Sequence, residues 1–187
     1  MKAVIYRVTG GPDVLKLVDR LAPAPAAGEV LVQVAVSGVN PTDYKSRRGS
    51  APGQSLPYPE VVPNQDGAGT IVGAGPGVEP DRVGQRVWVW EAAWQRANGT
   101  AQQLLALPTS QAMTLPPGAS FDLGASLGIP ALTAHRCLTV AEDGPNQLAP
   151  GALKERSVLV AGGAGAVGHA AIQLARWAGA KVIATVS

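Results

Sequence analysis

Glycine stands at 162, 165 and 168, just after an apolar run and at the start of a helical period. Residues 157–161 (SVLVA) have the character of a buried parallel strand. From Val167 the period turns helical, with Val167, Ala171, Leu174 and Ala178 on one face. Gly179 follows where a helix C-terminus belongs, and residues 181–186 form a second strand. A turn this tight needs a residue without a Cβ. The helix that follows offers free N–H groups and a positive dipole end to a pyrophosphate. Strand, glycine turn, helix and strand together are the opening of a dinucleotide-binding fold. The spacing is G-x-x-G-x-x-G rather than the usual G-x-G-x-x-G, and an ordinary β–α turn without ligand is the competing reading.

A second place with chemical content is Asn40, inside SGVNPTDYKSRRG (residues 37–49). Asn followed by Pro41 fits an N-cap with proline at the first helical position, and a short helix to Arg48 ended by Gly49 follows from it. On this pattern alone Asn40 is a cap. Trp88 and Trp90 fall on one face of a strand. With Trp94 they are three of the four Trp of the chain, either a wall for a flat substrate or aromatic core, with core favoured.

These groups need elements to hold them. Residues 1–110 carry short strands between turns: 2–8, 14–18, 29–36 (EVLVQVAV, alternating throughout), 66–73 with several glycines, 83–90 and 99–107. Such strands, punctuated by Gly and Pro, point to a barrel-like β domain. Residues 120–127 read as a helix capped by Ser120. Pro130 interrupts, and 131–138 is helical again. Residues 140–156 are polar and aperiodic, a surface loop leading into the strand at 157.

Composition narrows the classes. Apolar residues make up 46% of 187, enough for a core, and the net charge is +2 with no long basic run, which gives no indication of nucleic acid. A single cysteine, Cys137, excludes an internal disulfide and a Cys-rich zinc site, and its apolar neighbours predict core. No signal-peptide pattern opens the chain and no apolar run approaches membrane-spanning length, so the expectation is a cytoplasmic protein without a membrane association.

Four motifs in order carry a resemblance to a known family. They are Gly38-Val-Asn-Pro-x-Asp43; Asp66-Gly-Ala-Gly69 with Gly84-Gln-Arg-Val87; Leu127-Gly-Ile-Pro-x-x-Thr-Ala134; and Val158-Leu-Val-x-Gly162-x-x-Gly165-x-Val-Gly168. Over its whole length the chain resembles the medium-chain dehydrogenase/reductase superfamily, and within it the zinc-free NADPH:quinone oxidoreductases of the ζ-crystallin-like group. The fold class this implies is mixed α/β and β: a GroES-like β-barrel catalytic domain over 1–128, then the first part of a Rossmann doubly wound NADPH-binding domain over 129–187.

The resemblance also implies roles. Asn40 would lie near the nicotinamide and the substrate carbonyl, with Tyr44 as a second catalytic candidate, although many members carry their tyrosine one position later, where Lys45 stands here. Thr133 would approach the carboxamide. Gly162, Gly165, Ala166, Val167 and Gly168 would hold the pyrophosphate. The reaction implied is hydride delivery from NADPH to a small quinone or conjugated enone. The alternatives are an enoyl thioester reductase of the same superfamily and a non-catalytic cofactor-binding protein. A zinc alcohol dehydrogenase is the remaining class. In its frame the ligand positions are Asn40, Gln65 and Ile129, none of which suits zinc, so no metal is expected.

NADPH is expected over NADH because no carboxylate ends the second strand: Val186 takes the place of the acid that would bind a ribose 2′-OH. The hydroxyls of Thr185 and Ser187 are candidates for the 2′-phosphate. A doubly wound sheet has about six strands, and this sequence reaches two. The chain is therefore expected to be an N-terminal portion or a truncated form. Weak NADPH binding and little activity are expected of it alone, together with an uncovered apolar strand at 182–184. Homodimers of the family often join through a strand that this sequence does not contain.

Overall fold

The computed structural model describes residues 1–186. Contacts divide the chain into two units, Met1–Gly128 and Ile129–Ser187.

In the first unit, β1 (Lys2–Ile5) pairs antiparallel with β2 (Lys16–Asp19). The long strand β3 (Glu29–Gly38) is followed by α1 (Pro41–Arg48), β4 (Asp66–Ala74), β5 (Arg86–Val89), β6 (Leu104–Pro108), β7 (Ala112–Thr114) and α2 (Phe121–Ala125). β3 to β7 form one antiparallel sheet in the order β6-β3-β4-β5-β7. The alternation in β3 has a direct result. Val30 and Val32 are fully buried and pack with Ile71, Val87, Leu105 and Leu107, with Val32 opposite Ile71 on one side and Leu105 on the other.

The strand ladders leave this barrel-like unit open. Single bridges, Ala3 to Gln102 and Tyr6 to Val61, join the small sheet to the rest. The segment before β6 spends its backbone groups on loop carbonyls: Gly99 N donates to Val62 O, Thr100 N to Asn64 O and Ala101 N to Pro63 O. That is why the strand expected from residue 99 begins only at Leu104. Likewise the strand expected over 83–90 shortens to β5, after a single 3-10 turn at Pro80–Arg82. Trp94 is 60% exposed, so it is not aromatic core; Trp88 and Trp90 are half-buried.

The second unit contains nearly all of α3 (Gly128–Thr139), then β8 (Ser157–Val160), α4 (Ala166–Trp177) and β9 (Lys181–Ala184). Pro130 does not break a helix. It is the third residue of α3, in the first turn, where a missing N–H costs nothing. Cys137 is exposed, not core; Ala134 and, one turn on, Leu138 take the inner side of α3. The stretch 140–156 also departs from a pure surface loop. Leu148 and Leu153 are buried against Ala175 and Ala178, two lone leucines without the periodicity that would have marked them.

β8 and β9 are parallel, with Val158 opposite Val182 and Leu159 opposite Ile183. α4 lays Ala171, Ala175 and Leu174 toward them, while Val167, expected on that inner face, is 37% exposed in the first turn. Of the strand expected to be uncovered at 182–184, Ile183 and Ala184 are exposed, whereas Val182 packs against the clusters formed with α4; Leu159 on β8 is exposed as well.

Candidate functional site

One candidate region, in the first unit, is a buried polar knot at the start of α1. Asn40 precedes the helix in extended conformation, with Pro41 as first helical residue. Asp43 sits one turn in, and its carboxylate reaches back. Oδ2 accepts from Asn40 N–H at 2.6 Å, and Oδ1 accepts from Gln65 N–H at 3.1 Å. Burial raises the Asp43 carboxyl above the ordinary carboxylate range, and the hydrogen bonds from Asn40 and Gln65 oppose that rise. The Asn40 side chain does not act only as a cap. Its Nδ2–H donates to Asp66 Oδ2 at 2.7 Å, and both residues are buried. Gln65 turns its amide oxygen to Ala93 N–H at 3.1 Å. Asn40 and Gln65, two of the positions expected from the resemblance to correspond to zinc ligands, thus serve an amide–carboxylate bond and a loop. Among the described residues no group of three or more His, Cys, Asp or Glu side chains is placed to hold a metal ion.

Tyr44 lies four residues beyond Asn40 on α1 and is 46% exposed. It lines a cavity of about 370 Å³ with Pro12, Arg47, Arg48 and Pro52. Ser46 of the same helix borders a different cavity of about 350 Å³, walled by Tyr6, Leu56, Pro57, Tyr58 and Val61. Tyr58 Oη donates to Gln95 O at 2.6 Å and ties the proline-rich loop to the 93–96 segment. Tyr6 is 5% exposed. Burial pushes its phenol up, Arg47 pulls it down and Asp43 adds to the rise.

The other candidate region, in the second unit, is the glycine turn between β8 and α4. Gly162 adopts φ +70°. Gly163 N–H donates to Thr185 O at 2.8 Å, and Gly165 N–H to Gly162 O at 3.0 Å. At Gly168 a Cβ would fall 2.3 Å from Gly162 O, so only glycine lets the helix start this close to the turn. Gly165 is the N-cap and no side chain caps the helix; residues 164–167 are exposed. The first N–H groups of α4 are therefore available to an anionic oxygen. Thr185 serves the turn, since its Oγ1 accepts from Gly162 N–H at 3.1 Å; its own proton remains free to donate. Thr133 is an exposed residue of α3. Ser187 lies outside the described residues.

The structure brings Asn40 together with Asp43, Gln65 and Asp66, and it gathers Gly162, Gly165, Ala166, Val167, Gly168 and Thr185 around one turn. Sequence reasoning missed the role of Asp43 and Asp66. The spacing Asn40-x-x-Asp43 was a readable capping signal; nothing local marks Asp66, 26 residues on.

The alcohol dehydrogenase GroES-like domain family matches residues 26–117. Quinone oxidoreductase of Rattus norvegicus is 37% identical over 187 residues, covering 99% of this chain and 52% of that protein. Over residues 26–117 the chain thus carries an alcohol dehydrogenase GroES-like domain, and over its whole length it is similar to quinone oxidoreductases. Among solved structures, a mycobacterial Rv1454c complexed with NADPH aligns with a TM-score of 0.79 at 33% identity, over 100% of this chain and 53% of that one. Escherichia coli quinone oxidoreductase complexed with NADPH aligns at 0.76 and 28% identity, over 100% and 52%. The chain thus spans about half the length of the curated relatives it matches.

Proposed function

We propose that this chain serves an NADPH-dependent, zinc-independent reduction of a quinone or conjugated enone. The observation that carries the reading is the glycine turn. A helix start with no side-chain cap stands at the end of a parallel strand, and a Cβ at Gly168 would close the approach. Gly162, Gly165, Ala166, Val167 and Gly168 would hold the pyrophosphate through backbone groups, as anions are held at helix N-termini. Thr185, whose Oγ1 accepts from Gly162 N–H and whose proton can donate, suits a 2′-phosphate. Thr133 would contact the carboxamide.

The cofactor supplies the hydride when bound; the chain supplies position and a polar setting. Asn40 holds its amide at a fixed place through Asp66 and Asp43. The cavity bordered by Ser46, Tyr6 and Tyr58 is of a size and character for a flat ring. Zinc independence rests on the donor set, because Asn40, Gln65 and Ile129 are not zinc ligands. The names and bound NADPH of the quinone oxidoreductases above support the substrate and cofactor classes.

The experiment follows NADPH oxidation with simple quinones, enones and enoyl thioesters. It uses this chain and a version continued to the length of its relatives. Quinone turnover by the longer form, without stoichiometric zinc after chelator washing, supports the reading. Turnover restricted to thioesters, or dependent on zinc, overturns it.

A further inference from the structure

We propose that Asp66 is the positioning residue for Asn40, a buried carboxylate that fixes the Asn40 amide in one orientation where zinc relatives would carry a metal ligand. The proposal rests on the reading that Asn40 meets cofactor or substrate. Asp66 opens β4 and is fully buried. Its Oδ2 accepts from Asn40 Nδ2 at 2.7 Å. A carboxylate is an acceptor only, so the amide must present nitrogen to it. Flipping Asn40 would set a carbonyl oxygen against a carboxylate oxygen inside the protein, where an unmade charged hydrogen bond is costly. The orientation is thus dictated by chemistry.

Asp66 itself is held on two sides. Its backbone oxygen accepts from Thr100 Oγ1 at 2.6 Å. Because that hydroxyl proton is spent, Ser37 Oγ must donate to Thr100 Oγ1, at 2.7 Å, and Ser37 Oγ in turn accepts from Asn64 Nδ2 at 2.9 Å. The result is a chain of one polarity from Asn64 through two hydroxyls to Asp66, and such chains reinforce their members. On the carboxylate side, a Cβ at residue 128 would fall 2.1 Å from Asp66 Oδ1. Only glycine lets residue 128 sit this close to the carboxylate. Asn40 is fixed from its own side too: Pro41 follows it and Asp43 takes its N–H. A functional group held from both ends by buried partners is preorganised, and a site gains most from groups that need not reorient.

The test compares Asp66→Asn, which keeps the volume, with Asp66→Ala. In protein labelled with ¹⁵N-asparagine, the side-chain amides of Asn40, Asn64, Asn98 and Asn146 are read directly, and Asn40→Ala assigns the signal. The expected wild-type Asn40 amide has one proton shifted well away from its partner, exchanging with water at least about tenfold slower than the amide of exposed Asn146. That factor corresponds to one hydrogen bond to a charged group. D66N should bring exchange toward the Asn146 rate while the backbone spectrum stays as in wild type. An Asn40 amide that exchanges freely in wild type, or is unchanged in D66N, overturns the proposal, even if D66A fails to fold. In the longer, active form D66N should lower kcat at least about tenfold with KM for NADPH within about twofold, and N40A/D66N should be no slower than N40A. Additive losses would show that Asp66 acts elsewhere and also overturn the proposal. If N40A alone leaves turnover intact, the functional reading of Asn40 fails, and the amide spectrum still decides whether Asp66 holds it.

Discussion

Asn40 and Gly168 both stand where a cofactor is expected, and they are held in opposite ways. Around Asn40 the work is done by side chains from distant segments: Asp43 on α1, Gln65 before β4 and Asp66 at its start, all drawn into a buried knot. Around Gly168 side chains are nearly absent, and the geometry comes from backbone atoms within one short run, with Thr185 closing it from the next strand. The first region is rigid because its polar groups are buried and hydrogen-bonded to one another. The second is shaped because a Cβ has no room. A change should therefore hurt the first by orphaning a buried group and the second by steric intrusion.

The largest effect expected is at Gly168. Gly168→Ala places a carbon 2.3 Å from the Gly162 carbonyl oxygen, a backbone atom that cannot turn aside. The turn must open, at a cost of roughly 2–4 kcal/mol, and NADPH binding measured by fluorescence titration should be lost. Gly162→Ala meets nothing within 4 Å and is strained only by φ +70°, so about 1 kcal/mol is expected. Equal losses in the two variants would show that backbone conformation, and not close approach, makes the turn.

Next comes Asp43→Ala. It removes the acceptor of two N–H groups, one of them on buried Asn40. Leaving them unmatched costs about 2–3 kcal/mol, visible as a fall in the denaturant midpoint at pH 7. A loss below about 0.5 kcal/mol would mean that water reaches both donors and that the knot is not closed.

These two sites differ as much in legibility. The strand, turn and helix around 162–168 lie in thirty consecutive residues, so period and glycine spacing exposed them, just as alternation exposed β3 and the Asn40-Pro41 cap signal exposed α1. The knot needs β3, α1 and β4 to be folded before Asn40 meets Asp66, and no period in the sequence reports that meeting. The same limit explains Leu148 and Leu153, buried from a polar stretch by contacts with α4. It also explains the late start of β6, where backbone groups bond to loops rather than to a neighbouring strand.

The acid range sharpens the comparison, because only the first region has a buried carboxyl whose shift is established by its surroundings. Burial raises the Asp43 pKa above its unfolded value of about 3.9. A raised carboxyl binds more protons folded than unfolded, so its contribution to stability is fully present below about pH 3.9 and is lost as pH rises through the folded pKa. Asp43→Asn has no such titration. The stability of wild type relative to D43N should therefore improve as pH falls from 7 through the folded pKa toward 3.9, measured by urea midpoints at each pH. A difference that moves the other way would mean that the two N–H bonds outweigh burial.

The smallest effect belongs to the one side chain that braces the glycine turn. Thr185 Oγ1 accepts from Gly162 N–H at 3.1 Å, and both residues are exposed. Thr185→Val keeps the β-branched shape and deletes the acceptor. Water can replace the lost partner at an exposed site, so the cost should be about 0.5–1 kcal/mol, the net worth of an ordinary hydrogen bond, well below the loss at Asp43. Cofactor preference should respond more than stability does. If the Thr185 hydroxyl proton meets the 2′-phosphate, T185V weakens NADPH binding several-fold and leaves NADH unchanged, so the ratio of the two dissociation constants isolates the hydroxyl from the turn. Equal weakening of both cofactors would instead place Thr185 wholly in the service of Gly162, and the preference for NADPH would then have to arise from residues other than Thr185.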